Sequence, residues 1–164
     1  MKKLIIIIIS ILLLVIDNTI LSYYAIDGIF PSLLFIFAIA LSIIKGSEYA
    51  LFIGILSGFL QDIFFFHGFG VNMLLNMLLC VLASVIGRGV FKENRLIPVL
   101  TCLLVSVLKT IGVIILFKLF SENIDIKAAL GSSVLNSIVL LFVYKKILRL
   151  SDKYLSTDKW RFKW

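Results

Sequence analysis

Asp17, Asp62 and Lys109 are ionisable side chains set within long apolar runs, and Gln61 and Asn76 are amides in the same kind of setting. Two acids and an amine could exchange a proton, hold a polar solute or neutralise one another. In hydrocarbon an unpaired charge costs about 3 kcal/mol or more, so each must face protein or water. Catalysis would require more than these groups. Ser57 precedes Gly58 without a Gly-x-Ser-x-Gly elbow, the chain has no His-Glu-x-x-His, and His67 is its single histidine. No catalytic residue is therefore expected. Cys80 and Cys102 lie in separate apolar runs with no Cys-x-x-Cys, as small packing residues do. With one histidine and two dispersed thiols, neither a metal site nor a cofactor is expected.

The elements that must hold these groups are helices in a bilayer. The chain is 62% hydrophobic and 15% charged, with a mean hydropathy of +1.16, outside the range of soluble domains. Apolar runs cover residues 4–24, 31–44, 49–66, 71–90, 96–117 and 128–144. Most approach the roughly 20 residues that span a bilayer, the second being the shortest. Solid runs such as Ile5 to Ile9 exclude the alternation of a transmembrane barrel. The expected fold class is all-α integral membrane, a single domain bundling six transmembrane helices over residues 1–164. Lys2 and Lys3 before the first run resemble a signal peptide. No small-x-small cleavage site follows, and a retained helix is expected. No internal repeat is evident, which argues against a transporter built of inverted halves.

Basic residues near spans stay in the cytoplasm. With the amino terminus inside, thirteen of the sixteen Lys and Arg fall on inner segments, Lys118 and Lys127 on outer ones, and Lys109 within a span. Both termini are thus expected in the cytoplasm of a multi-pass plasma-membrane protein. The net charge of +7 reflects this bias and implies no nucleic-acid partner. The tail 145–164 mixes Lys145, Lys146, Arg149, Lys153, Lys159, Arg161 and Lys163 with Tyr154, Trp160, Phe162 and Trp164, a pattern suited to anionic lipids.

Helical spacing assigns the inward faces. Gly54, Gly58, Gln61 and Asp62 share one side of the third run, and glycines four apart admit another helix closely. That helix is either a neighbour in the bundle or a partner's. Asn72, Asn76, Cys80, Ala83 and Gly87 form a stripe on the fourth run, Cys102, Ser106, Lys109 and Val113 on the fifth, and Ser132, Asn136 and Leu140 on the sixth. Only residues 67–70 separate the third and fourth runs, which must be antiparallel neighbours. Asp17, Asp62 and Lys109 each lie thirteen residues beyond the inner end of their run, at Leu4, Tyr49 and Leu96, a depth of about 20 Å. The expectation is a polar layer in the outer half, where Lys109 offsets one or both carboxylates and Gln61 and Asn76 complete the hydrogen bonds.

The run Gly54-Ile-Leu-Ser-Gly58-Phe-Leu-Gln61-Asp62, followed by Gly68-Phe-Gly70-Val-Asn72, resembles the signature of the rod shape-determining MreD family. Length, the six-run layout, Pro31 opening the second run and the Lys45-Gly46 turn fit as well. The resemblance implies a non-enzymatic subunit of the cell-elongation machinery that associates with MreC. Through the wider complex it implies contact with the MreB filament and peptidoglycan synthases. It also implies a fold like the substrate-binding subunits of energy-coupling-factor vitamin transporters. Gly54, Gly58, Gln61, Asp62, Gly70 and Asn72 match the pattern, implying roles in helix contacts and in shaping an outer pocket. The rival is a vitamin-binding transporter subunit. Such subunits carry small residues at four-residue spacing along the first span, where Leu4 to Ile16 of this chain is large and aliphatic apart from Ser10.

Overall fold

The computed structural model describes residues 2–25, 29–64, 70–88, 96–119 and 126–155. Every regular element among them is helical: α1 Lys2–Ile16, continued by a π-helical turn Asp17–Leu21, then α2 Leu33–Lys45, α3 Ser47–Phe64, α4 Val71–Gly87, α5 Leu96–Leu119 and α6 Ile126–Leu155. Five of the six follow the apolar runs to within a few residues. The sixth outruns its apolar stretch, because α6 carries the basic residues Lys145, Lys146, Arg149 and Lys153 as helix and not as a loose tail. Residues 156–164 and His67 lie outside the described residues.

The shortest run proves to be the centre of the molecule. α2 has 13 residues, and all of Leu34 to Ile44 is buried, as expected of a helix that is apolar on every side. It touches each of the other five helices. At about 1.5 Å per residue it is near 20 Å long, less than the roughly 30 Å of hydrocarbon. Ser32 caps its start by accepting from Phe35 N at 3.4 Å. Gly46 ends it with φ at +89°, a left-handed value that a side chain resists, and α3 begins at the next residue.

Around this axis α3 packs on α4 and α5 on α6, while α4 also meets α2 and α5. α1 lies against α2 and α3. The polarity is that of a protein in lipid. Ser42, Ser57, Gln61, Asp62, Asn76, Ser106, Thr110, Ser133, Asn136 and Ser137 are buried, whereas Ile8, Leu12, Phe59, Leu78, Leu104, Ile115, Ile138 and Phe142 are exposed. An apolar surface of that extent belongs against acyl chains. Among the described residues Lys3–Leu21, Leu96–Leu116 and Lys127–Lys153 are long and apolar enough to cross a membrane. Leu33–Lys45 and Val71–Gly87 are shorter apolar helices.

Candidate functional site

The site lies at the amino-terminal end of α2, where polar residues of the neighbouring helices gather.

Asp17 opens the π-helical turn, where the backbone ladder widens and side chains take up freed carbonyls. Asn18 Nδ2 donates to Leu14 O at 3.1 Å and Thr19 Oγ1 to Val15 O at 2.6 Å. Its carboxylate serves the start of α2. Oδ1 accepts from Leu33 N at 2.8 Å, and Oδ2 accepts from Leu34 N at 3.0 Å and Ser32 Oγ at 3.1 Å. Asp62, near the carboxyl-terminal end of α3, repeats the device on α4. Its Oδ2 accepts from Gly70 N at 3.0 Å and Met73 N at 2.9 Å, and its Oδ1 from Asn72 N at 3.0 Å. Gly70, with φ at +100°, has no side chain to cap α4 itself. Helix amino termini leave several N–H groups unmatched and carry roughly half a positive charge. Each acid therefore meets its opposite charge in a backbone.

That arrangement redistributes the expected polar layer. Lys109 donates to Gln61 Oε1 at 2.8 Å, and its Nζ stands 4.2 Å from the centroid of the Phe35 ring. Neither carboxylate is its hydrogen-bond partner. Gln61 is the hub. Its Oε1 also accepts from Asn76 Nδ2 at 2.9 Å, and its Nε2 donates to Ser32 Oγ at 3.2 Å. Asn76 Nδ2 further reaches Ser57 Oγ at 3.3 Å. Lys109, Gln61, Ser32 and Asp17 thus form one connected chain, with Asn76 as a branch, while Asp62 turns aside to α4.

The glycines face inward. A Cβ on Gly54 would come within 2.8 Å of Met77 Cα and 2.9 Å of Asn76 O, and one on Gly58 would overlap Met73 Cα and Asn72 O. These are backbone atoms of α4, so the two helices touch along their main chains. Asn72 lies one turn above Asn76 and lines a cavity of about 240 Å³ together with Asp17, Gln61 and Lys109. Cys80 and Cys102 are buried and free. Among the described residues no group of three or more His, Cys, Asp or Glu could hold a metal.

Two participants escape a reading of the polar layer from sequence. Ser32 joins Asp17 to Gln61, and its position between Pro31 and an apolar run is the usual signal of a helix cap. Asn136, one member of a stripe in the sequence, uses its Oδ1 to accept from Ser32 N at 2.8 Å.

Residues 1–151 match the family model of the rod shape-determining protein MreD, a stretch that contains every residue of this network. The chain belongs to the MreD family. No curated protein and no solved structure matches it, so the expected likeness to energy-coupling-factor subunits gains no support. MreD proteins are membrane proteins of rod shape determination and are not known as a family of enzymes.

Proposed function

We propose that this MreD-family chain is a non-catalytic scaffold of the cell-elongation complex, a single six-helix membrane domain that holds MreC and, through it, peptidoglycan synthases and the MreB filament. The supporting observation is how the buried polar groups are used. Asp17 and Asp62 are engaged by helix amino termini, and Gln61 bridges Lys109, Asn76 and Ser32. Such groups fix the shape of a bundle. The apolar outer faces of α4, α5 and α6 are left for a partner's transmembrane helix. In a bilayer such docking gains from packing and cross-helix hydrogen bonds.

The basic ledger supports six passes with both termini in the cytoplasm. The inner end of α6, with Lys145, Lys146, Arg149 and Lys153, suits anionic headgroups. Nucleic acid has no part in this reading.

Mild-detergent purification of the tagged protein from its native membrane is expected to recover MreC. Replacing exposed Leu78 and Leu82 on α4, or Ile138 and Phe142 on α6, with alanine should abolish recovery for one of the two faces without loss of the folded protein. Recovery unchanged by both pairs would sink this docking mode. Cysteines placed at residues 3 and 153 should resist an impermeant reagent added to intact cells. Labelling of either would overturn the orientation.

A further inference from the structure

α1 packs on α2 and α3, and α6 on α2 and α5. A seam is therefore left between α1 and α6, with α2 as its floor. At its outer end lies the polar cavity of about 240 Å³ at the start of α2, which α3, α4 and α5 also line through Gln61, Asn72 and Lys109. Its inner half is an apolar groove of about 290 Å³ lined by Ile9, Leu13, Phe37, Val143 and Ile147, among others. Leu14 and Ser32 line the cavity, and Leu13 and Leu33, their neighbours in the chain, line the groove.

We propose that this seam binds one membrane lipid with an anionic phosphate headgroup, the phosphate lying against Lys109 and an acyl chain filling the groove. Three observations carry this. Lys109 has three N–H donors and one hydrogen bond, to Gln61. Asn136 is engaged through Oδ1, and its amide nitrogen has no bond among the described residues. Both line the cavity, so it holds an ammonium with donors to spare and an amide nitrogen without an acceptor among the described residues. Asp17, the acid on the same lining, has both oxygens turned into the amino terminus of α2. The ammonium is the charge left to attract a ligand.

Size and shape select a lipid. The cavity lies below the roughly 300–1,000 Å³ of sites that enclose a drug-sized solute, and it suits a headgroup. From Asn136 in the cavity to Leu150 in the groove, α6 descends fourteen residues, about 21 Å of helix. That is enough for the roughly 15 Å of hydrocarbon in one leaflet. A free anion would leave the groove empty, and a zwitterionic lipid would bring its own quaternary ammonium into the cavity beside Lys109.

The full chain in nanodiscs of phosphatidylglycerol or phosphatidylcholine tests the proposal, with bound lipid counted by native mass spectrometry after transfer to lipid-free detergent. One phosphatidylglycerol should be retained and phosphatidylcholine lost. Lys109→Gln should weaken retention about 30-fold or more, and Leu13→Trp, which fills the groove and leaves the cavity lining intact, should also reduce it. Equal retention of the two lipids would overturn the proposal, as would a folded Lys109→Gln protein that still holds phosphatidylglycerol. Inorganic phosphate protecting the wild-type protein against heat as well as phosphatidylglycerol does would replace the lipid with a free-anion site. That comparison decides the matter even if Lys109→Gln fails to fold. A protein that holds no lipid yet recovers MreC would sink this site and leave the scaffold standing.

Discussion

Along α3 and α4 two backbones meet at Gly54 and Gly58, whereas α1 and α6 leave a cavity and a groove over the floor of α2. Both regions are bounded by a carboxylate that caps the next helix, Asp62 for α4 and Asp17 for α2. They differ in the residues lying beyond the cap. Behind Asp62, glycines let the helices close with nothing between them. Behind Asp17, a cavity is left, lined by hydroxyls, amides and one ammonium. The same capping device borders a closed backbone contact in one place and a polar cavity in the other.

The closed region should be the one that fails when altered. Gly58→Leu forces the main chain of α4 away and should cost about 3 kcal/mol or more, read as loss of folded protein in detergent. Gly58→Ser surviving with an unchanged melting temperature would show that the two backbones are not in close contact. Gln61→Leu strands Lys109, Asn76 and Ser32 together and should cost about 2–3 kcal/mol in thermal unfolding. Asp62→Asn keeps one acceptor where the carboxylate offered two. The expected loss is about 1–2 kcal/mol, with amide exchange rising at residues 70–73. In the open seam, Leu13→Ala removes a partly buried side chain from the groove wall and should cost only about 1 kcal/mol. A larger loss there than at Gln61 would erase the contrast between the two regions.

The helices are legible in the sequence because runs such as Ile5 to Ile9 and Leu96 to Leu104 leave no other choice in a bilayer. α2 is legible in place but not in role. Its run reads as the shortest span, yet an apolar stretch of about 10–14 residues is as suited to a core enclosed by other helices. Counting depth places Asp17, Gln61, Asn76 and Lys109 close enough to form the connected chain seen between the helices. Counting cannot choose partners. Depth treats helices as upright rods with charges at fixed heights, and so matches Lys109 to the acids. The positive ends of α2 and α4 are themselves charges, and they satisfy Asp17 and Asp62 without an ammonium.

The two caps join residues close in the chain: Asp17 reaches sixteen and seventeen positions on, to Leu33 and Leu34, and Asp62 eight to eleven, to Gly70, Asn72 and Met73. Each latch is complete as soon as the ribosome has released the start of the next helix. The first two rods, and later the third and fourth, can then enter the bilayer as fastened pairs with their acids already matched. The central helix, too short to span alone, is thereby secured before the later rods are made to enclose it.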